Sequence, residues 1–127
     1  MKNPETLSYT KSHEWVDFES DTTAVVGLTD YAQKSLGDLV FVDLPAVGAE
    51  TEAGKPFCNV ESVKAVSDVF CPVTGTVAEV NEALLDAPEK INEEPYGAWI
   101  AKIENVTGKE ELLTFAEYAL FVEAEAH

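Results

Sequence analysis

Few side chains in this 127-residue sequence could take part in covalent chemistry, and the best placed of them is a lysine. Lys64 stands between two short runs, Pro56-Phe57-Cys58-Asn59-Val60-Glu61 and Ala65-Val66-Ser67-Asp68-Val69-Phe70-Cys71. Both runs are rich in β-branched and aromatic residues, which predicts strands, and Pro72, Thr74 and Gly75 close the second. Paired as an antiparallel hairpin around a tight turn near Ser62-Val63-Lys64-Ala65, they would project the amine into water, where an enzyme could reach it. Taken alone, such a lysine is usually only a solvated surface charge. No second lysine or apolar pocket is evident in the sequence to make it a Schiff-base nucleophile.

The other reactive candidates are two cysteines and two histidines. With the turn centred between Val63 and Lys64, Cys58 falls opposite Val69, and Cys71 becomes its diagonal neighbour, roughly 7–8 Å away and beyond ordinary disulfide reach. Reduced core thiols are the expectation, with a disulfide requiring a shifted register. His13 and His127 assemble with them into neither a Cys–His nucleophile nor a tetrahedral zinc site. A thiol enzyme would need one rapidly alkylated cysteine, which is not expected here.

Several short elements must position the lysine. Leu7-Ser8-Tyr9-Thr10 is a first extended segment, and Glu14 to Phe18 and Thr22 to Val26 read as strands joined by a polar turn at Glu19-Ser20-Asp21. On this reading Trp15 is a core aromatic and Glu14 a surface acid. Thr29 or Asp30 can cap a short helix that Gly37 would stop. Leu39 to Val42 is an apolar strand, Val47 to Gly54 a turn-rich connection, and Gly75 to Val80 an alternating strand. Asn81 to Pro95 reads as a polar link and Tyr96 to Ile103 as a strand, with Trp99, Ile100 and Ile103 as core candidates. Glu110 to Leu113 reads as a short amphipathic turn. Thr114-Phe115-Ala116-Glu117 then opens a helix through about Glu123, with Phe115, Ala119 and Leu120 towards the core. Closely spaced short strands with turn signals between them predict a mainly β sandwich or flattened barrel with small helices attached.

Composition excludes several classes. The chain has 24 acidic residues against 8 basic ones, a net charge of −16, and every basic residue is a lysine. Such a surface repels nucleic acid and anionic membranes and lacks the guanidinium fork that grips phosphate. The same charge would steer the molecule towards basic patches on larger proteins. An apolar content of 46% suits one folded unit spanning residues 1–127. No run approaches the ~18 apolar residues of a membrane span, and no signal-peptide pattern opens the chain. A bacterial cytoplasmic protein is expected; a mature mitochondrial form would read the same way.

Glu61-Ser62-Val63-Lys64-Ala65, with Ser67-Asp68, Pro72-Val73-Thr74-Gly75, Val77 and Glu79-Val80-Asn81, resembles the lipoyl-lysine hairpin of the glycine cleavage system H proteins. His13-Glu14-Trp15, Gly27-Leu28-Thr29-Asp30-Tyr31-Ala32-Gln33 and Leu44-Pro45 with Val47-Gly48 match the same family in the same order. The helical tail fits it better than the shorter lipoyl domains of 2-oxoacid dehydrogenases, and biotinyl domains carry Met-Lys-Met where Val63-Lys64-Ala65 stands. One departure is Asn92-Glu93-Glu94-Pro95-Tyr96-Gly97-Ala98-Trp99, in which the spacer before Trp99 is shorter than usual and Ala98 replaces glycine.

The resemblance implies a barrel-sandwich hybrid whose hairpin, at about 56–72, presents Lys64, with a helical segment at about 109–123. It implies lipoic acid in amide linkage to Lys64, and no catalytic residues. The arm would carry the aminomethyl group of glycine between a pyridoxal-phosphate-dependent glycine decarboxylase, a folate-dependent aminomethyltransferase and dihydrolipoyl dehydrogenase. Ser12, Glu14 and Asp68 would line a cleft for the arm, and Glu61 would be read by the lipoyl-attaching enzyme. A monomer is expected. A relay of lipoyl groups to other lipoyl enzymes is the alternative role.

Overall fold

Alternation of apolar residues sorts the strands into two layers. The computed structural model describes residues 3–126, so His127 and the first two residues of the expected unit lie outside the described residues. Among the described residues nine strands run β1 Ser8–Tyr9, β2 Glu14–Ser20, β3 Thr23–Leu28, β4 Leu39–Asp43, β5 Glu50–Thr51, β6 Lys55–Ser62, β7 Val66–Cys71, β8 Val73–Val80 and β9 Ala101–Lys109. They form a six-stranded sheet in the order β1-β2-β3-β9-β8-β5 and a three-stranded sheet in the order β4-β6-β7. All pairings are antiparallel. Helices are α1 Asp30–Leu36, α2 Ala83–Asp86, α3 Lys90–Glu93 and α4 Phe115–Ala126. The architecture is the expected mainly β barrel-sandwich hybrid with a C-terminal helix.

The two sheets share one apolar interior. Val16, Val26 and Ile103 from the larger sheet meet Val42, Val60, Val69 and Cys71 from the smaller, all essentially inaccessible to water. Strand β3 is buried on both faces, so Ala24-Val25-Val26-Gly27-Leu28 is continuously apolar where a one-sided strand would alternate. Its outward face, Val25, joins a second cluster with Leu7, Tyr9, Trp15 and Tyr118. Helix α4 covers that face, and the Tyr118 ring stacks on Tyr9 with centroids 4.5 Å apart and planes 8° from parallel.

The tail differs from expectation in two respects. Residues 110–113 form no helical turn, and Leu113 instead makes an antiparallel bridge to Tyr9. The following helix is closed by the predicted capping box, with Thr114 N donating to Glu117 Oε1 at 2.9 Å and Glu117 N donating to Thr114 Oγ1 at 3.2 Å. The face it buries is Tyr118, supported by Phe121 and Val122. Of the three residues expected to face the core, Leu120 stays 68% exposed and Ala119 is exposed too, whereas Phe115, 40% exposed, sets its ring 6.2 Å from that of buried Tyr9. The hydroxyl of Tyr118 decides the orientation, since it bonds Thr29 Oγ1 and His13 Nδ1, each at 2.8 Å.

The stretch 81–95 is not a plain link. It contains α2 and α3, and each anchors itself with one fully buried residue, Leu84 and Ile91. The last strand starts at Ala101 and runs to Lys109, later than expected, because Pro95 to Ile100 turns through Gly97 and Ala98, whose N–H groups both bond Glu94 O. Among the described residues no helix is long and apolar enough to cross a membrane.

Trp15 pairs directly with Gly27 across β2 and β3. The indole lies over the bare glycine, where an added Cβ would stand 2.5 Å from the ring, and its Nε1 donates to Pro95 O at 3.0 Å. Gly27→Ala therefore overpacks a site that cannot yield without moving the tryptophan. The expected cost is about 1–3 kcal/mol, read as a lowered urea midpoint at unchanged m-value.

Candidate functional site

The hairpin of β6 and β7 is built as the sequence implies. Glu61 pairs with Val66 and Ser62 N donates to Ala65 O at 2.8 Å, which leaves Val63 and Lys64 as the two-residue tip. The Ser62 hydroxyl receives the backbone N–H of Lys64 at 3.2 Å and of Ala65 at 3.1 Å, fixing the turn from its own first residue. Val63 N reaches Asp38 O at 3.1 Å and ties the tip to the loop after α1. Lys64 is exposed, and its Nζ donates to Ser35 O, 3.1 Å away, in the last turn of α1. A cation at that end of a helix meets the partial negative charge of its unpaired carbonyls. Gly37, at φ 83°, leaves the room: a Cβ there would be 3.2 Å from Lys64 Cε.

Helix α1 is held in register with the hairpin from both ends. Thr29 caps its first turn through Ala32 N, and Gly37 N returns to Gln33 O at the other end. The Asn92 amide accepts from Leu39 N and donates to Gly37 O and Gln33 Oε1, all within 3.0 Å. Sequence reading placed Asn92 in a motif without a job; here it fixes the loop that receives the lysine.

A cleft of about 130 Å³ opens between α1 and the free edge of β7. Ser12, Glu14 and Asp68 all line it, together with His13, Ser35 and Ser67. The structure thus brings three of the four cleft and recognition candidates together and connects them to Lys64 through Ser35. Glu61 sits elsewhere, half-buried on the outer face of the hairpin between Phe41 and Val66. A larger groove of about 740 Å³ lies at the base of the hairpin, lined by Pro45, Glu50, Lys55 and Phe57 among others, and is remote from the tip.

Glu14 is the main correction to the sequence reading, because it is 1% exposed rather than a surface acid. Its Oε1 accepts from Thr10 Oγ1 at 2.6 Å and from Ser12 Oγ at 2.5 Å, and its Oε2 accepts from Phe70 N at 3.3 Å. The last of these joins the first sheet to the free edge of the second. Thr10 was not anticipated. Its position at the start of a turn closed by His13 N to Thr10 O, with His13 in the left-handed region at φ 72°, folds its hydroxyl back onto the acid.

Burial pushes the Glu14 carboxyl up to about 7, against the pull of the two hydroxyls and the Phe70 N–H. Cys58 and Cys71 are free thiols, and burial likewise pushes both up, which keeps the thiolate scarce and makes them poor nucleophiles at neutral pH. Cys58 pairs with Val69, as the hairpin geometry implied.

A barrel-sandwich hybrid that holds a solvent-facing lysine on a hairpin tip defines a carrier domain of the lipoyl and biotinyl type. The comparisons then narrow the class. Residues 7–125 match the family model described as Glycine cleavage H-protein, and the chain belongs to that family. The glycine cleavage system H protein of Lachnoclostridium phytofermentans is 66% identical over 125 residues, covering 98% of both chains. The probable glycine cleavage system H protein of Pyrococcus abyssi is 56% identical, covering 97% of this chain and 94% of that one. The crystal structure of a glycine cleavage system H protein from Mycobacterium marinum superposes with a TM-score of 0.87 at 40% identity, over 98% of this chain and all of that one. The chain is accordingly a carrier component of glycine cleavage and not itself an enzyme.

The raised carboxyl has a measurable consequence. Folded Glu14 holds its proton where the unfolded side chain, near 4.5, has lost it, so stability falls as pH rises from about 4.5 to about 7 and then levels. The total is on the order of 3 kcal/mol. Glu14→Gln should flatten that slope in urea denaturation series run from pH 4.5 to 8, whatever it does to stability at any single pH.

Proposed function

We propose that Lys64 is the lipoyl attachment site and that the cleft beside it shelters the far end of the arm. The observation that carries this reading is the placement of Lys64 Nζ: exposed, on a two-residue tip, and in contact with the rim of the cleft through Ser35 O. The residues present fit the group, since the tip leaves Nζ open to acylation and the cleft combines apolar walls from Leu28, Ala32 and Val69 with oxygen donors and acceptors. When bound, the lipoyl group supplies a dithiolane whose sulfur can take up and give up the aminomethyl group of glycine.

This chain's own residues bind and shield. Leu28, Ala32 and Val69 exclude water from one side of the cleft, and Ser12, Glu14 and Asp68 offer oxygens to a protonated amine. Such a cation would favour ionised Glu14, because a nearby positive charge lowers a carboxyl that burial has raised. Shelter is then strongest above pH 7 and weakens as Glu14 regains its proton. The partners on this reading are glycine decarboxylase, the aminomethyltransferase and dihydrolipoyl dehydrogenase, with Glu61 read by the lipoyl-attaching enzyme. The carrier serves them as a monomer whose net charge of −16 steers it to basic docking sites.

Intact-mass analysis of protein made in lipoylating cells tests the attachment site. Wild type should gain one lipoyl group and support glycine cleavage with the other components. Lys64→Arg should gain none and support no turnover. Normal turnover with Lys64→Arg would end this reading.

A further inference from the structure

Two walls of the arm cleft meet at one junction, and the C-terminal helix sits on it. One wall is the turn that carries Ser12, His13 and Glu14; the other is α1, through Ala32, Ser35 and Leu36. Thr29 N donates to His13 O at 3.1 Å, which joins the turn to the residue that caps α1. Tyr118 of α4 is buried behind this junction, and its hydroxyl reaches both sides of it, Thr29 Oγ1 and His13 Nδ1. Burial pushes the phenol well above its ordinary value, so it keeps its proton. A hydroxyl with one proton to give and lone pairs to accept can serve two partners, whereas a phenyl ring could serve neither. The turn itself is strained at this point. His13 has φ 72°, a conformation that persists only where the surroundings over-determine it. Its ring supplies the restraint: besides the Tyr118 bond, the ring centroid lies 4.6 Å from that of Tyr31 and 5.9 Å from that of Phe121, and Nε2 makes a charge contact, not an aligned hydrogen bond, with Glu125 Oε2 at 2.9 Å. Tyr118, Phe121 and Glu125 all belong to α4. Ser12 and Glu14 flank His13 in the chain, so a shift of its backbone moves both.

Resting on the reading of this cleft as the shelter of the arm, we propose that Tyr118 is a positioning residue for the carrier: from α4 it clamps the His13–Thr29 junction, sets Ser12 and Glu14 at their distance from α1, and so governs how long the loaded arm keeps its carbon. Helix α4 is then a working part of the shelter although Tyr118 does not line the cleft. The side reaction that the clamp suppresses is hydrolysis of the S–CH2–NH3+ group. Its methylene carbon takes the oxygen of one water molecule while its bonds to sulfur and to nitrogen break. Sulfur and nitrogen each leave with the bonding pair and take one of the two protons of that water, giving thiol, formaldehyde and ammonium. A cleft held at the right width excludes the water and keeps the amine on its oxygens; a loose one does neither.

The test uses the full chain with Tyr118→Phe, which keeps the ring stacked on Tyr9 and removes only the hydroxyl. Thr29→Val opens the junction from its other side, Thr29→Ser restores that hydroxyl, and Ile103→Val lowers stability in the core away from the cleft. Each protein is lipoylated, loaded by glycine and the decarboxylase, freed of enzyme, and followed by its release of formaldehyde. Amide hydrogen exchange is measured on the same chains without the lipoyl group. Tyr118→Phe and Thr29→Val should release formaldehyde at least fivefold faster than wild type, with Thr29→Ser and Ile103→Val within twofold of it. In the unmodified chains Tyr118→Phe should speed exchange at Thr29 and Ala32 at least tenfold while Val60 exchanges as before. Unchanged release or unchanged exchange in Tyr118→Phe overturns the inference, and so does equally fast release from Ile103→Val, since general loosening would then suffice. Wild type that loses formaldehyde as fast as the same protein unfolded in urea would instead sink the shelter itself, and the role of Tyr118 with it.

Discussion

The register of one strand pair governs what this molecule can present. Side chains alternate along β6 and β7, so a slip of one residue would turn Val60, Val69 and Cys71 out of the core and carry the tip off Lys64. Two devices prevent the slip. Inside, the buried row from Val42 to Val60 fixes the strands against the larger sheet. At the turn, the Ser62 hydroxyl takes up two backbone N–H groups that a two-residue loop would otherwise leave to water. The extra residue at Phe57, where the pairing shifts between Pro56 and Cys58, is confined to the base of the hairpin and leaves the tip undisturbed.

The second sheet edge needs a different solution, because β7 has a neighbour on one side only. Glu14 supplies it by accepting Phe70 N–H from a strand of the other sheet. An ionisable group buried here costs stability at neutral pH, whereas glutamine could still accept the same bond. An acid at this position is of use only through its charge, as the shelter proposed for a protonated amine requires.

Much of this was legible in the sequence, for a physical reason. The hairpin, its register and the exposed lysine follow from period-two alternation and turn chemistry, which are local properties. The capping box at Thr114 and Glu117 and the glycine stop at Gly37 are local too. What could not be read depends on distant partners. Glu14 reads as a surface acid until Thr10, Ser12 and Phe70 converge on it. Helix α4 has alanines and apolar residues around most of its circumference, so periodicity does not choose a face; the bonds of Tyr118 to Thr29 and His13 do. The helices between Asn81 and Pro95 are single turns, too short for a period, although Leu84 and Ile91 stand out as apolar residues in a polar stretch.

Unmodified, Lys64 is moored: its ammonium rests on the carbonyl of Ser35 at the negative end of α1, over the gap left by Gly37. Acylation would exchange three N–H donors and a positive charge for one N–H and none, and the mooring would lose the attraction that made it. A tether fastened at that nitrogen is therefore cast off by the act of fastening, without any helper protein to pry the side chain loose.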